Sequence, residues 1–161
     1  MYKKGPFGSS LTKAMFIDEK TPNRVKVYEQ KNAIQHDYRL GNYYISSNKY
    51  EEMKGFSVYP CDIIVSCAGT IGEIYQLPNE APVGIINQAL MKITLFYNKI
   101  ATYYIILLRD KLNELSKSAK GTAIKNIPSF DKLKLAQILI PPENEQKRII
   151  NRLNKIFDLF L

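Results

Sequence analysis

Three short segments of the chain combine glycine with small hydroxyl side chains, a composition suited to holding phosphate groups. They are residues 5–10, 67–72 and 120–126. Glycine lets a backbone approach a phosphate closely, and exposed N–H groups together with Ser and Thr hydroxyls can then donate hydrogen bonds to it. Lys120 and Lys125 add positive charge to the third segment. Each segment taken alone is more typical of an ordinary turn.

Two further segments are rich in side-chain amides that can read base edges. Residues 28–33, Tyr-Glu-Gln-Lys-Asn-Ala, lie at the end of a predicted strand, and Asn87-Gln88 interrupts an apolar stretch. Gln and Asn read adenine through two hydrogen bonds in the DNA major groove, and Lys reads guanine. A solvated turn is the more common explanation of the first segment. Buried amides that cap backbone groups are at least as common an explanation of the second.

Residue types that would indicate catalysis or a metal site are sparse. His36 is the single histidine, and the sequence contains no nucleophile elbow, P-loop or dinucleotide fingerprint. Cys61 and Cys67 have five residues between them and no second pair of cysteines, which argues against a zinc site. No pair of catalytic carboxylates can be singled out. We therefore expect a protein that is not an enzyme and that carries no cofactor and no metal.

Composition and charge indicate one folded, basic domain. The chain has 161 residues, of which 45% are hydrophobic and 24% charged, and its formal net charge is +8. Residues 1–60 carry +4, residues 61–110 carry −1, and residues 111–161 carry +5. The nearly neutral middle is typical of a core. The basic flanks favour either a polyanionic partner or, without further motifs, two solvated surfaces.

Signals for secretion or for membrane insertion are lacking in this sequence. Two cysteines give no disulfide pattern, and residues 1–6 have none of the apolar character of a signal peptide. The longest nearly apolar stretch, residues 100–108, is far shorter than the roughly 20 residues that span a bilayer. We therefore expect a cytoplasmic protein with no membrane partner.

The hydrophobic pattern predicts the elements that position these segments. Strands are predicted at residues 25–30, 43–45, 62–67, 71–76, 83–86, 89–95 and 136–140. Apolar residues at helical spacing from Ile100 to Leu115, after the candidate N-cap Asn98, predict a long helix. Short helical turns are expected at residues 47–54 and 130–135.

A second long helix is predicted after Pro141-Pro142, because the prolines stop the preceding strand and acidic residues follow them. Its apolar residues fall at the spacing of a helix that packs on a partner helix. They are Ile149, Leu153, Ile156 and Phe160. The pattern is still running at Leu161, so we expect the sequence to stop within a helix.

In their order along the chain, these segments resemble the target recognition domain of a type I restriction–modification specificity subunit, with the start of its following long helix. The similarity covers nearly the whole chain and is carried by residues 5–11, 28–34, 62–72, 84–90, 121–127 and 138–150. Each motif alone is weak, whereas the ordered set is specific. Its strongest part is the pattern Ile-Pro-Pro-x-x-Glu-Gln at residues 140–146.

The resemblance implies an α+β fold of the DNA methylase specificity domain type, with a mainly β, roll-like body and flanking helices. Residues 1–140 would form the DNA-binding domain, and residues 141–161 would begin a coiled-coil spacer helix. Such a domain reads one half of a bipartite DNA site and directs the catalytic subunits to it. The implied partners are double-stranded DNA, the methyltransferase (modification) subunits, the restriction subunit, and a second recognition domain or a homodimer partner.

On this interpretation the loop residues contact DNA and the C-terminal helix contacts protein. Residues expected at phosphates are Ser9, Ser10, Lys13, Lys120, Gly121, Thr122 and Lys125. Residues expected near base edges are Tyr28, Gln30, Lys31 and Asn32. Thr70 is a further expected DNA contact. The residues expected to pack on a partner helix are Ile149, Leu153, Ile156 and Phe160.

The sequence departs from the family pattern at its ends. Full domains usually begin with an opening segment that often contains Trp, whereas here the Gly-Pro-Phe-Gly segment begins at residue 5 and the chain has no Trp. We therefore expect one recognition half, trimmed at both ends or from a shortened gene. Two alternatives stay open. A half-size subunit or fragment would act as a protein-interaction or dimerisation module through its C-terminal helix, or the chain would be the recognition domain of a fused restriction–methyltransferase enzyme.

Overall fold

A computed structural model describes residues 1–118, 135 and 137–157 of the chain, with side chains for residues 1–114, 135 and 137–156. In chain order, the strands of this part are β1 Tyr2–Lys4, β2 Val25–Tyr28, β3 Tyr44–Ile45, β4 Ser57–Val58, β5 Ile63–Ser66, β6 Ile74–Gln76, β7 Gly84–Ile86 and β8 Leu90–Ile93. The α-helices are α1 Gln30–Ile34, α2 Ser47–Glu52, α3 Ala101–Ser118 and α4 Glu143–Phe157. Single 3₁₀ turns lie at Gly8–Ser10, Lys13–Met15, Lys54–Phe56 and Asn98–Ile100.

The strands form two four-stranded sheets. Sheet A has the order β1-β8-β5-β6 and is antiparallel throughout. Sheet B has the order β3-β2-β7-β4, and its central strands β2 and β7 run parallel, with Val27 opposite Ile85. Because β7 and β8 follow one another closely in the chain, the two sheets meet where β7 ends and β8 begins.

The sheets face each other across a buried apolar cluster. Ile64 and Leu90 of sheet A pack there with Tyr28 and Ile86 of sheet B, and all four side chains are fully buried. Successive side chains of a strand point to opposite faces, so β5 serves two clusters at once, with Ile63 and Val65 in one and Ile64 in the other. Burial on both faces explains why β5 reads as a continuous apolar run rather than an alternating one.

The outer face of each sheet is covered by a different part of the chain. Tyr104 and Leu108 of α3 pack on the outer face of sheet A against Ile63, Met91 and Ile93. The outer face of sheet B is covered by side chains from the loop before β2 and from the end of α2. This second cluster contains Leu11, Val27, Ile45, Met53 and Ile85. The order of layers is therefore loop and α2, sheet B, sheet A, α3.

Helix α4 begins directly after the two prolines, as predicted. The backbone N–H groups of Glu145 and Gln146 donate to the Pro142 carbonyl at 2.9 and 3.1 Å. The buried Gln146 side chain also donates to the Pro141 carbonyl at 2.7 Å. An ion pair between Glu143 and Lys147, 2.8 Å long, adds to the first turn. The α+β arrangement with flanking helices and a C-terminal helix agrees with the sequence-based expectation.

Two predicted elements differ from the structure. Residues 137–140 of the strand predicted at 136–140 form no strand, and Leu139 is 88% exposed. The strand predicted at 25–30 ends at Tyr28 and continues as α1. The turn predicted at 130–135 lies outside the described residues except for Leu135. Among the described helices, none is long and apolar enough to cross a membrane.

Candidate functional site

The amide-rich segments meet because the two parallel strands of sheet B end side by side. Tyr28, the last residue of β2, lies opposite Ile86, the last residue of β7. The backbone N–H of Asn87 donates to the Tyr28 carbonyl at 3.0 Å and extends this pairing by one step. Residues 29–31 and 87–89 therefore leave the same edge of sheet B as neighbours, although 58 positions separate Glu29 from Asn87.

The N-terminal glycine segment is held against this edge. The Gly5 N–H donates to the Leu90 carbonyl at 2.8 Å. A Cβ atom at Gly5 would lie 1.9 Å from the Asn87 carbonyl oxygen, a distance that no side chain tolerates. After a 3₁₀ turn, the buried Leu11 fixes the other end of the segment in the core. Residues 7–10, including the 87% exposed Phe7, are exposed to solvent on this anchored loop.

The second glycine segment, residues 67–72, joins the same edge through two sets of hydrogen bonds. The Cys67 N–H donates to the Ala89 carbonyl at 2.7 Å. The side-chain amide of Gln30 donates to the carbonyls of Ala68 and Thr70, at 3.1 Å for the latter. Four segments thus form one surface, which we call the loop face and define as residues 5–13, 29–31, 67–72 and 87–89.

Most of the predicted contact residues in the described part of the chain lie on the loop face. Ser9, Ser10, Lys13, Lys31 and Thr70 are exposed there. A groove of about 350 Å³ crosses the face and is lined by residues from three of its segments. Its polar lining residues are Thr12, Lys13, Glu29, Asn87 and Gln88.

Tyr28 is a correction to the sequence-based expectation. Its side chain is fully buried between the sheets, and its hydroxyl donates to the Pro82 carbonyl at 2.6 Å. Burial also raises the pKa of Tyr28, so the hydroxyl stays protonated and keeps this bond. A side chain with no exposed surface cannot approach a base edge, and the role of Tyr28 is structural.

Asn32 is a second correction. It is fully buried, its Oδ1 accepts from the Glu29 N–H at 2.7 Å, and its Nδ2 donates to the carbonyls of Asp37 and Leu40 at 2.9 and 2.8 Å. These bonds cap the start of α1 and close the turn that follows it. Because both donors of the amide are engaged inside the protein, Asn32 holds the loop face in shape rather than touching DNA.

Gln30 and Lys31 occupy the first turn of α1 at the surface. Both donors of the Gln30 amide are used by the 67–72 segment, which leaves its Oε1 as the acceptor available to a ligand. Lys31 is exposed and its Nζ lies 3.0 Å from Glu29 Oε2. Base contact by these two residues stays a prediction.

The remaining predicted residues belong to the C-terminal third of the chain. Lys120, Gly121, Thr122, Lys125 and Phe160 lie outside the described residues. On α4, Ile149 and Leu153 are half-buried, whereas Ile156 is 42% exposed. The helix contacts α3, so part of its apolar stripe is covered within the chain.

Gln88 belongs to the Asn87-Gln88 pair, for which the sequence left base contact and structural capping open, and it was not among the residues expected to contact DNA. Asn87 acts as a structural cap, since its Oδ1 accepts from the Ala89 N–H at 3.0 Å, but the neighbouring Gln88 is exposed beside Lys13 in the groove. The signal that could have found it is the parallel pairing of β2 with β7, which brings the two amide segments together. Pairing of strands distant in sequence is not encoded in either segment alone.

The chemistry of the loop face is that of hydrogen bonding and positive charge. Lys13 forms no ion pair with any described residue, so its charge is available to a ligand. Burial raises the pKa of the Cys67 thiol to about 12, which keeps this side chain uncharged and unreactive at neutral pH. Among the described residues, no group of His, Cys, Asp and Glu side chains could hold a metal ion.

Comparison with protein families identifies one match. A family model described as "Type I restriction modification DNA specificity domain" matches residues 60–160, more than half of the chain. The matched range begins before β5 and runs into α4. A sequence comparison with curated proteins finds no match.

Three similar solved structures share the fold. One, described as "Structural basis underlying complex assembly and conformational transition of the type I R-M system", has a TM-score of 0.62 at 16% identity and covers 98% of this chain. The HsdS subunit from Thermoanaerobacter tengcongensis has a TM-score of 0.59 at 17% identity and covers 99%. The type I restriction-modification system S subunit from M. genitalium has a TM-score of 0.54 at 20% identity and covers 98%. The chain spans only 36%, 35% and 36% of these three chains.

Proposed function

The chain belongs to the family of type I restriction–modification DNA specificity domains, and from this premise we propose that its loop face reads one half of a bipartite DNA site. The observation that carries the proposal is the convergence of four loop segments at the shared end of β2 and β7. In this role the domain supplies recognition, and methyltransferase and restriction subunits supply the catalysis.

The phosphate contacts of this proposal lie on the anchored N-terminal segment. Ser9 and Ser10 are exposed hydroxyl donors, and Lys13 is a cation with no partner among the described residues. Contacts of this kind position a protein on a duplex without carrying sequence information. The rigid attachment of the segment through Gly5 and Leu11 favours binding, because little loop entropy is lost when DNA docks.

The base contacts of this proposal lie around the groove. Gln88 has an amide that is free to make two hydrogen bonds with an adenine edge, and Lys31 can donate to guanine. Phe7, on the same face, offers an apolar ring to a thymine methyl group or to an opened base step. Phosphate and base contacts would thus come from neighbouring segments of one surface.

A binding titration separates the two kinds of contact. The chain is titrated with duplexes selected from a randomised pool, and affinity is followed by fluorescence anisotropy between about 50 and 200 mM salt. Lys13→Ala should weaken binding to all duplexes alike and reduce the slope of log affinity against log salt by about one. Gln88→Ala should weaken binding to the selected duplex by about 1–3 kcal/mol and leave unselected duplexes unaffected.

Matched variants away from the loop face make the test specific. Lys111→Ala on α3 removes the same charge, and Gln137→Ala removes an exposed amide of the same length. Neither should change affinity or selectivity. Phe96→Ala, at a residue 99% exposed beyond the opposite end of β8, is the control for Phe7→Ala. A salt slope of zero, or equal effects of Gln88→Ala on every duplex, would contradict the proposal.

A second candidate function concerns the C-terminal helix. Ile156 is 42% exposed on the same stripe as the half-buried Ile149 and Leu153, which favours a partner helix along α4. We propose that this stripe docks a second recognition domain or a second copy of the chain. Modification subunits would then assemble on the helix pair that forms. Sedimentation velocity should then show a dimer that Ile156→Lys dissociates. A monomer at all concentrations, alone and with the modification subunit, would exclude this role.

A further inference from the structure

A second cleft, of about 320 Å³, lies at the other end of β2 from the loop face. Three basic and two tyrosine side chains contribute to its wall, together with Asn23, Pro82 and Val83, and no carboxylate does. The basic and aromatic residues are Arg24, Lys26, Tyr38, Arg39 and Tyr44. Arg24 directly precedes β2, whereas residues 29–31 of the loop face directly follow that strand. A four-residue strand is roughly 10–13 Å long, so the two sites are separate but close.

Lys26 is the buried cation of this cleft. Lys26 is only 5% exposed, and its Nζ donates to the carbonyls of Leu40 and Gly41 at 3.0 and 3.1 Å. An ammonium group has three protons to donate, and these bonds use two of them. No described carboxylate lies within ion-pair distance of it. Its hydrogen-bond partners are neutral carbonyls, and the carboxylates of Glu29 and Asp37 act on it only from beyond ion-pair distance. A bound anion would therefore offset part of the cost of burying this charge.

The two arginines flank Lys26 in different ways. Arg39 is held by Asp37, whose carboxylate accepts from Arg39 Nε at 2.9 Å and from an Nη atom at 3.0 Å. Arg24 lies over the Tyr44 ring, 5.1 Å from its centre, and forms no ion pair with a described residue. One guanidinium is therefore fixed in place, and the other is positioned by an aromatic ring with its donors free.

We propose that this cleft binds a phosphate group, supplied either by the backbone of DNA or by a free nucleotide. A planar guanidinium matches two phosphate oxygens at once, and an ammonium group acts as a point charge beside it. Arg24 supplies the planar guanidinium and Lys26 the neighbouring ammonium charge, whereas Arg39, whose charge is paired with Asp37, contributes hydrogen-bond donors to the wall. The DNA source rests on the proposed function, whereas the free-nucleotide source does not.

Binding of small ligands is the first test. Inorganic phosphate and dAMP are titrated separately into the isotope-labelled chain, and backbone amide chemical shifts are followed. Both should shift the amides of Arg24, Tyr44 and Val83 in a saturable manner. Arg24→Gln should weaken this binding about tenfold, the loss expected for one charge-assisted hydrogen-bonded pair. Arg24 is exposed, so the variant should fold, and Arg109→Gln on α3 is the matched control.

Duplex binding is the second test and identifies the source of the phosphate. If a DNA phosphate occupies the cleft, Arg24→Gln lowers the salt slope of duplex binding by about one. An unchanged slope together with saturable dAMP binding supports a free nucleotide instead. No specific shifts with phosphate or dAMP, combined with an unchanged salt slope, would overturn the proposal. If Lys13→Ala and Gln88→Ala leave DNA binding unchanged, that result would refute the DNA-binding role of the loop face and would not bear on phosphate binding in the cleft.

Discussion

The side-chain amide of Gln30 donates to the backbone carbonyl of Thr70 at 3.1 Å and so joins the first turn of α1 to the loop between β5 and β6. A second bond from the same amide reaches Ala68. Helix α1 is itself fixed, because Ala33 is fully buried in the cluster between the sheets. The 67–72 segment therefore takes its position from a side chain about 40 residues away.

Replacement of Gln30 should release this segment. Gln30→Ala removes both hydrogen bonds at a partly solvated site, so the free energy of unfolding should fall by only about 0.5–1.5 kcal/mol. Amide hydrogen exchange at residues 68–72 should rise much more than exchange at β5 and β8. Gln35→Ala, at an exposed residue just beyond α1, is the control and should leave exchange unchanged. Equal exchange in both variants would show that Gln30 does not hold the loop.

Gly5→Ala should damage the N-terminal segment through a single added methyl group. The new Cβ would lie 1.9 Å from the Asn87 carbonyl oxygen and 3.0 Å from the Leu90 carbonyl oxygen. Both are backbone atoms, so the segment must move away, at a cost of about 1–3 kcal/mol. DNA affinity should fall with it, because Ser9, Ser10 and Lys13 move too. Urea denaturation and anisotropy measure the two effects.

Gly8→Ala is the matched control for that prediction. It adds the same methyl group three residues further on, where nothing lies within 4 Å of the new atom. Its stability should be equal to that of the parent or higher by about 0.4–1 kcal/mol, because alanine restricts the unfolded chain. A Gly5→Ala variant as stable as Gly8→Ala would mean that the segment does not pack against Asn87.

Cys67 should resist thiol reagents in the folded protein. Burial raises the pKa of its thiol to about 12, so almost no thiolate forms at pH 8. Alkylation by iodoacetamide is followed by mass spectrometry of the digested chain. The alkylation rate of Cys67 should be far lower in the folded protein than in the protein unfolded in urea. Labelling at the rate seen in urea would indicate that the 67–72 segment opens frequently.

Stability should decline at alkaline pH, partly through Tyr104. Burial raises the pKa of Tyr104, and its hydrogen bond with the Tyr2 hydroxyl acts in the same direction. An unfolded tyrosine ionises near pH 10, so this contribution is complete below that pH and is lost above it. Tyr104→Phe should therefore lose less stability than the parent between pH 9 and 11.

The measurement for this prediction is the free energy of unfolding in urea at several pH values. Tyr97→Phe, at an exposed residue, removes a hydroxyl without touching the core and should keep the pH dependence of the parent. Cys67 contributes in the same direction at pH above about 9, because its pKa is also raised. Parallel pH profiles for the parent and Tyr104→Phe would argue against burial of the Tyr104 hydroxyl.

The elements that the sequence predicted well are those whose pattern is set by burial. The β-branched run at Ile63–Ser66 became a strand buried on both faces, and the helical spacing after Asn98 became α3. Two prolines marked the start of α4. In each case the signal is local, because an apolar run, a helical spacing of apolar residues or a proline without a backbone N–H is visible within a few residues.

The elements that the sequence predicted poorly depend on distant contacts. The polar segment after β2 reads as a turn, yet it is helical because Asn32 caps it and Ala33 is buried between the sheets. Residues 137–140 have a strand-like composition, but no strand in the described part of the chain pairs with them. Ile138 instead packs on the cluster beneath α3, while Leu139 faces solvent.

The same distinction applies to the loop face. Two of the three segments selected by glycine and hydroxyl content, residues 5–10 and 67–72, meet in space, whereas residues 120–126 lie outside the described residues. Residue roles within the segments were less predictable, since Tyr28 and Asn32 are buried while Gln88 is exposed. Burial of a polar side chain is decided by the partners that the fold brings to it, such as Pro82 for Tyr28.

The pairing of β1 with β8 has a consequence for synthesis of the chain. Tyr2 pairs with Ile93, so β1 leaves the ribosome before the other strands of sheet A and has no partner until β8, the last of them, has emerged. The backbone donors and acceptors of β1 stay hydrogen-bonded to water until about 90 further residues have been translated. Closing so long a loop delays folding. Sheet A is completed late, and the N-terminal segment that follows β1 reaches its final place only then.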